Sequence, residues 1–199
     1  MNIGLLDAAR SASLGLASLG ASLKDVVVEV RGERGSCGTG IIWGGAGLVV
    51  TNAHCAPRET ALEVAANNAR RDASVLAYHP HHDLALLAAP HARGPLLEIR
   101  DADSLRAGEL VFASGHPLGV KDALAMGVVH GVVRDPRSGS ARWIVADVSL
   151  APGNSGGPLV DAEGRLVGIN SMVVNGLGAA IPATVVARFV ERVLARRAA

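Results

Sequence analysis

Aromatic side chains are scarce in this chain, where Phe, Trp and Tyr make up 3% of 199 residues. A core with so few rings has to be built mainly from Val, Leu, Ile and Ala. A strong excess of either charge is also lacking, since the formal net charge is +1. This leaves no electrostatic basis for binding nucleic acid or an acidic membrane surface. No apolar run reaches the length of a membrane span.

Glycine is abundant, with 24 residues, and hydrophobic residues make up 49% of the chain, which is a globular composition with many turns. Short apolar runs succeed one another, separated mostly by glycine, proline or charged turns: 26–30, 38–42, 47–51, 62–64, 74–78, 84–88, 110–113, 125–133, 143–147, 158–160 and 166–171. Many short strands at this spacing predict a sandwich or barrel. The glycine-rich strand pairs near 38–50 and 156–169 are weakly alike, as two similar barrels would be.

The two ends of the chain carry helical periodicity instead. The first apolar series predicts an amphipathic helix over 1–24. A cleaved signal peptide is the alternative, and it is less favoured because the segment lacks a basic start and an unbroken apolar stretch. The members of the series are Leu5, Leu6, Ala9, Ala12, Leu16, Leu19 and Leu23. A second series predicts a closing helix over 183–197, with arginines on its solvated face. Between them we expect one domain over 25–199, with barrels at about 25–100 and 101–182.

The run Gly-Asn-Ser-Gly-Gly-Pro at 153–158 is the most informative chemical feature. Glycines allow backbone bends that other residues resist, and such a bend can aim successive N–H groups into one small space. A serine hydroxyl beside two converging amide donors is what acyl transfer to serine requires. The same run can also form a simple turn. Ser155 is therefore a candidate nucleophile whose assignment depends on a base and an orienting group.

His54 is the best candidate for the base, because it follows directly after the apolar strand at 47–51. Asp83 is the best candidate to orient it, since a carboxylate at the start of a buried strand is energetically costly unless it is paired. The histidines in polar loops are expected at the surface: His79, His81, His82 and His91. No cysteine or carboxylate pattern accompanies them, so no metal site is predicted.

The order His54, Asp83, Ser155 resembles that of the chymotrypsin-like serine proteases, and the motifs resemble their HtrA/Deg branch. Thr-Asn-Ala-His at 51–54, Asp-Leu-Ala-Leu-Leu at 83–87 and Pro-Gly-Asn-Ser-Gly-Gly-Pro-Leu at 152–159 carry the likeness. Shorter matches lie at 105–108, 115–119 and 180–182, so the resemblance spans about 26–195. It implies an all-β fold of two six-stranded antiparallel barrels with N- and C-terminal helices, and a serine endopeptidase that needs no cofactor.

The resemblance also implies roles around the triad. The backbone N–H groups of Gly153 and Ser155 would form the oxyanion hole, with Asn154 holding the loop in shape. The specificity pocket would be lined by Leu150, Ser171, Met172 and Val173. These residues lie in the segments 148–152 and 170–173, and neither segment contains an acidic residue. Cleavage is therefore expected after small or medium aliphatic residues such as Ala, Val or Leu rather than after Arg or Lys. In many relatives of this fold a disulfide occupies the places of Cys37 and Cys55, so we expect these sulfur atoms to be close.

Several alternatives stay open from the sequence. A catalytically silent chaperone or binding module could keep the same fold. A cysteine-nucleophile relative is disfavoured, because neither Cys37 nor Cys55 occupies the nucleophile position. The same chemistry also cleaves esters, although nothing in the sequence favours an esterase. The expected partners are polypeptides, unfolded proteins among them. The chain ends soon after the closing helix, so no PDZ domain is expected, and the predicted state is a monomer or small homo-oligomer. A cytoplasmic location is favoured, with a periplasmic or secreted one as the alternative.

Overall fold

The strands form two closed antiparallel barrels of six strands each, as the sequence predicted. The structure is a computed structural model, and it describes residues 3–32, 37–57 and 61–198. The first barrel has the order β1-β2-β3-β6-β5-β4 and closes where β1 pairs with β4. Its strands are β1 (Val27–Gly32), β2 (Cys37–Trp43), β3 (Ala46–Thr51), β4 (Leu62–Ala66), β5 (Ala69–His79) and β6 (Leu84–Arg93).

The second barrel repeats this arrangement, with the order β10-β11-β12-β9-β8-β7 and closure between β7 and β10. Its strands are β7 (Leu110–Gly115), β8 (Ala123–Arg134), β9 (Ala141–Asp147), β10 (Pro158–Asp161), β11 (Leu166–Val174) and β12 (Leu177–Pro182). The sequence pattern predicted eleven of the twelve strands and missed β12. Its residues include glycine and alanine, which are poor strand formers, and they are held by pairing with β11 and β9 on either side.

Two helices flank the barrels, α1 (Ile3–Leu23) and α2 (Ala183–Ala198). The second half of α1 is anchored, since Leu23 is fully buried and Leu19 packs against the core, but Leu5 is 70% exposed. The apolar face predicted for this helix is therefore covered only near its C-terminal end. Val186 and Val190 of α2 are buried, as its periodicity predicted. No helix in the described part of the chain combines the length and hydropathy that a bilayer crossing requires.

Three clusters of buried side chains make up the core. One fills each barrel, and the third joins the two barrels to both helices, with Ile41 and Leu86 from the first barrel and Phe112 and Ile169 from the second. Phe112 is the one aromatic residue among the buried hydrophobic side chains of the described residues, so the core is aliphatic as expected. Because the two barrels share this cluster, their facing surfaces are held in a fixed relation to each other.

Candidate active site

His54 lies in a short 3₁₀ turn, Ala53–Cys55, that begins just after β3 ends. Its neighbours Ala53 and Cys55 are buried and anchor the turn, while the imidazole itself is half exposed. The main-chain N–H of His54 donates to Asp83 Oδ1 at 3.1 Å, and its ring Nδ1 lies 2.9 Å from Asp83 Oδ2. The carboxylate therefore holds both the backbone and the ring of the same histidine.

Asp83 stands between a 3₁₀ turn, Pro80–His82, and the start of β6. Its backbone is in the left-handed region, with φ 51° and ψ 45°, a conformation that aspartate tolerates better than most residues. The Asn52 side-chain amide donates to its carbonyl oxygen at 3.0 Å, and the Ser171 hydroxyl donates to its Oδ2 at 2.8 Å. The unusual backbone and these two bonds direct the carboxylate at His54.

The charges of this pair favour one protonation pattern. The hydrogen bond to Asp83, with a further contribution from the Cys55 thiol, raises the pKa of His54 above its ordinary value of 6.5. Burial works against the charged form of Asp83, but hydrogen bonds from His54 and Ser171 outweigh it and hold the pKa of Asp83 below 3.8. An ionised carboxylate therefore accepts from Nδ1–H and leaves Nε2 as the nitrogen that can take a proton.

Ser155 lies in the loop that precedes β10, and its side chain is half-buried. Its hydroxyl donates to the carbonyl oxygen of Ser171 at 3.0 Å, and its own carbonyl oxygen accepts from the Thr39 N–H at 2.8 Å. Gly156 has φ +86°, and a Cβ at this position would overlap Thr39 and Thr51. Only glycine fits there, because both the backbone angle and the available space exclude a side chain.

The amide groups of this loop fall into two sets. The N–H groups of Asn154, Gly156 and Gly157 donate to the carbonyls of Ala151, Asn170 and Asn154. Over the described residues, the N–H groups of Gly153 and Ser155 have no acceptor within the protein. Both residues lie in the loop that carries the Ser155 hydroxyl, and Gly153 is buried. Buried amide groups without a partner are rare in folded proteins. The N–H groups of Gly153 and Ser155 are the pair that the sequence predicted as the oxyanion hole.

One cleft of about 520 Å³ brings the predicted residues together. Its lining contains His54 and Ser155, and also all four predicted pocket residues: Leu150, Ser171, Met172 and Val173. Ala151 and Pro152, which belong to the predicted segment before the nucleophile, line it too, as does Gly153, whereas Cys55 was not predicted to line it. None of the loop histidines His79, His81, His82 and His91 lines it. No group of three metal-ligating side chains was found among the residues that the structure describes.

Ser171 has a second contact that the sequence analysis did not anticipate. The sequence analysis assigned it to the pocket wall alone. Its hydroxyl, however, donates a hydrogen bond to the Asp83 carboxylate, and its carbonyl oxygen accepts one from the Ser155 hydroxyl. The two partners are 88 and 16 residues away in the sequence, so no local pattern could have identified them. Ser171 thus connects the orienting carboxylate to the serine.

The predicted pairing of Cys37 with Cys55 stays a prediction, because the side chain of Cys37 lies outside the described part of the structure. Cys55 is a buried free thiol whose sulfur lies 3.6 Å from the carbonyl oxygen of Ser155. The backbone of Gly38 packs against this sulfur, and a Cβ there would come within 2.5 Å of it.

The chain is similar to known peptidases. Residues 38–169 match the family described as trypsin-like peptidase domain. A probable periplasmic serine endoprotease, DegP-like, from Marinomonas sp. is 34% identical over 170 residues, covering 81% of this chain and 36% of that protein. The serine protease HTRA4 of Mus musculus is 35% identical, over 78% of this chain and 34% of its own length. The chain thus spans about a third of the length of these relatives.

Solved structures give the same result. The HtrA-type protease AlgW with a tripeptide superposes with a TM-score of 0.76 and 28% identity, over 85% of this chain and 60% of that one. The Rv3671c protease from M. tuberculosis in its active form has a TM-score of 0.76 and 26% identity, over 85% of this chain and 81% of that one. The chain therefore belongs to the trypsin-like peptidase domain family, and its domain is similar to those of the HtrA-type serine proteases.

Proposed function

We propose that this chain is a serine endopeptidase that cleaves polypeptides through an acyl-enzyme on Ser155. The observation that supports this most is that the N–H groups of Gly153 and Ser155 have no acceptor among the described residues. Both residues line the same cleft as His54. An oxyanion forming on a scissile carbonyl needs two such donors. Leaving two amides without acceptors has no evident structural benefit, whereas it suits a site whose acceptor is the substrate.

The reaction begins with a rotation of the Ser155 side chain. Its hydroxyl is hydrogen-bonded to the Ser171 carbonyl, so it has to turn towards Nε2 of His54 as substrate enters. His54 then accepts the hydroxyl proton while the oxygen attacks the scissile carbonyl, and it later returns that proton to the leaving amine. Asp83 remains ionised and stabilises the imidazolium. Water attacks the acyl-enzyme by the same sequence of proton transfers and releases the second product.

The deciding experiment compares Ser155→Ala with the unchanged protein on casein and on a fluorogenic peptide. Loss of the nucleophile should lower the rate about 10⁶-fold while the fold is retained, and His54→Ala should cost nearly as much. The double variant should lose little more, because the two residues act as a unit. Ser149→Ala is the matched control, since Ser149 is an exposed serine a few residues before the same loop.

The alternative of a silent chaperone or binding module makes the opposite prediction. A fluorophosphonate probe reacts only with an activated serine, so it should label the unchanged protein and the Ser149→Ala variant but not Ser155→Ala. An unlabelled wild-type protein, or casein cleavage that persists in Ser155→Ala, would reject the endopeptidase assignment.

We further propose that cleavage follows small or medium aliphatic residues. The pocket wall is formed by Leu150, Met172 and Val173, and no acidic residue lies in its lining. A cationic substrate side chain would therefore be buried there without a counter-charge, which is costly. Gly178 faces Val148 and Leu150, since a Cβ on it would come within 2.7 Å of Val148 Cγ1 and 3.1 Å of Leu150 Cδ1. Of these two side chains, Leu150 lines the pocket, and we expect it to limit the depth of the pocket.

The cytoplasmic location expected from the sequence is not supported by the relatives, several of which are named as periplasmic. We propose the alternative, a periplasmic or secreted location. We also propose polypeptides, including unfolded proteins, as the substrates. The monomeric or small oligomeric state stays a prediction.

A further inference from the structure

Both peptide groups next to Gly153 are held by donors from outside the nucleophile loop. The carbonyl of Pro152 accepts from the N–H of Leu118 at 3.0 Å, and the carbonyl of Gly153 accepts from the Thr39 hydroxyl at 2.6 Å. In a trans peptide the carbonyl and the N–H point in opposite directions. The hydrogen bond from Leu118 to the Pro152 carbonyl therefore turns the Gly153 N–H away from Leu118. The hydrogen bond from Thr39 to the Gly153 carbonyl limits rotation of the next peptide group, between Gly153 and Asn154.

Thr39 is unusual because it belongs to the first barrel, in β2, whereas Gly153 and Ser155 belong to the second. It is fully buried, and all of its polar groups are used. Its N–H donates to the Ser155 carbonyl and its carbonyl accepts from the Thr51 hydroxyl at 2.6 Å. Its own hydroxyl donates to Gly153 and accepts from the His116 N–H at 3.1 Å. A hydroxyl has one proton to donate, and here it is directed at Gly153.

The space around Thr39 fixes the direction of its hydroxyl. A Cβ on Gly115 would come within 2.9 Å of Thr39 Oγ1, and one on Gly157 within 3.0 Å of Thr39 Cγ2. The absence of side chains at these glycines leaves a fitted space for both branches of the threonine. Since a β-branched side chain is already restricted about χ1, this enclosure leaves the hydroxyl a single orientation.

Gly153 itself offers little resistance to rotation, because it has φ +106° and carries no side chain. Without the Thr39 hydroxyl, the Gly153 carbonyl would keep only a long contact of 3.4 Å from the His116 N–H. A buried carbonyl with so weak a partner favours conformations in which it finds a better one. Any such rotation moves the loop whose N–H groups have to meet the oxyanion.

We propose that Thr39 is a positioning residue that holds the oxyanion hole in its active shape before substrate binds. This inference rests on the proposed endopeptidase function. Thr39 does not touch substrate; it acts through the Gly153 peptide. The first barrel would thus contribute His54 and Asp83 to the chemistry and also, through Thr39, the geometry of the anion site in the second barrel.

The test is the isosteric substitution Thr39→Val, which removes the hydroxyl but keeps the branched shape. The kcat on a fluorogenic peptide should fall about 10- to 100-fold, approaching the loss of an oxyanion donor itself. KM should change less than about twofold, because a transition-state interaction is weakened and not ground-state binding. Thr39→Ser retains the hydroxyl and should restore kcat to within about threefold of wild type. If the valine variant does not fold, Thr39→Ala removes the same hydroxyl without placing a methyl group beside the buried Gly153 carbonyl.

Thr51→Val is the matched control. It removes an equally short and fully buried threonine bond, to the Thr39 carbonyl, but Thr51 makes no hydrogen bond to the nucleophile loop among the described contacts. It should lower the melting temperature as Thr39→Val does and leave kcat near wild type. A similar loss of kcat in both variants would mean that Thr39 has only a structural role.

A peptide aldehyde provides a second readout. The Ser155 oxygen adds to the aldehyde carbon, the hydroxyl proton passes to His54, and the former carbonyl oxygen becomes the anion in the hole. Its inhibition constant should rise in Thr39→Val by about the factor by which kcat falls. Unchanged kcat and inhibition constant in an active enzyme overturn this inference alone. A wild-type protein that neither cleaves peptides nor reacts with the fluorophosphonate probe overturns the proposed function with it.

Discussion

At the scale of single residues, the site works by holding one histidine in one tautomer. Asp83 receives hydrogen bonds from the ring of His54, from its main chain and from Ser171, and it is ionised by their combined effect. The same bonds that stabilise the carboxylate make the imidazolium easier to form. His54 is therefore a stronger base than a free imidazole, which suits the removal of a proton from a serine hydroxyl.

This pairing predicts the acid side of the pH profile. A protonated His54 cannot accept the Ser155 proton, so kcat/KM should fall as pH falls through the pKa of His54. Because Asp83 raises that pKa above 6.5, the half-maximal point should lie above pH 6.5. The measurement is kcat/KM on an uncharged peptide between pH 5 and 10, buffered at constant ionic strength.

Asp83→Asn separates this explanation from a general loss of stability at low pH. The amide removes the charge that raises the pKa of His54, so the remaining activity should be far lower and its half-maximal point should move down in pH. A wild-type midpoint at or below 6.5, or one that does not move in Asp83→Asn, would contradict the assignment of the profile to this pair.

At the scale of elements, the pocket depends on how three segments approach each other. The connection from β9 to β10 supplies Leu150, Ala151 and Pro152, and the end of β11 supplies Met172 and Val173, while Gly178 of β12 packs against Leu150. Met172 is 42% exposed and Val173 51%, so the β11 wall is open to solvent and free to contact a peptide. The specificity is set by packing among these segments rather than by a single charge.

A peptide library that differs only at the residue before the cut tests this pocket. Ala, Val and Leu should be preferred, and the preference should be broad, because each buried methylene contributes only about 0.8 kcal/mol. Leu150→Ala should deepen the pocket and shift the preference towards larger side chains such as Phe. A leading preference for Arg or Lys would show that the pocket has been assigned to the wrong segments.

At the scale of the whole molecule, a charged network ties the linker between the barrels, residues 94–109, to the second barrel. Arg100 contacts Glu109 at 2.8 Å and Asp161 at 3.2 Å, and Arg165 also contacts Asp161, at 2.8 Å. The side chain of Asp161 is 3% exposed. Main-chain bonds between this linker and β11, at Leu166, run beside the network. The Asp161 carboxylate thus ties the linker to the core of the second barrel.

Asp161→Asn should therefore lower the free energy of unfolding by about 3 kcal/mol, as expected when one partner of a buried ion pair is removed. Urea denaturation at pH 7 measures it. Burial opposes the charge on Asp161, but hydrogen bonds from Arg165 and from main-chain N–H groups hold its pKa below 3.8. A lowered pKa contributes stability above pH 3.8 that is lost as pH falls through the folded value. The difference between wild type and variant should accordingly shrink below about pH 4.

Glu163→Gln is the control for this network, because Glu163 also pairs with Arg165 but its side chain is 68% exposed. Exposed pairs contribute about 0–1 kcal/mol, so the variant should unfold almost as the wild type does. Equal losses in the two variants would show that burial of Asp161 is not the source of the stability.

The amino-acid sequence alone determined much of this protein. Alternation of apolar runs with glycine and proline turns located eleven strands, since the pattern of a half-buried strand is local. The motifs around His54, Asp83 and Ser155 are also local, because each lies at the end of a strand or in a glycine-rich turn. Their order along the chain was enough to indicate the family and the chemistry.

Tertiary structure decided what depends on contacts between distant segments. β12 is a strand because two neighbours pair with it, not because its own residues favour the conformation. The contacts of Ser171 with Asp83, and of Thr39 with Gly153, join residues 88 and 114 positions apart. Hydrogen bonds of this kind form only once the barrels are closed and packed together. No sequence period can encode them, so the shape of the oxyanion site emerged only from the folded molecule.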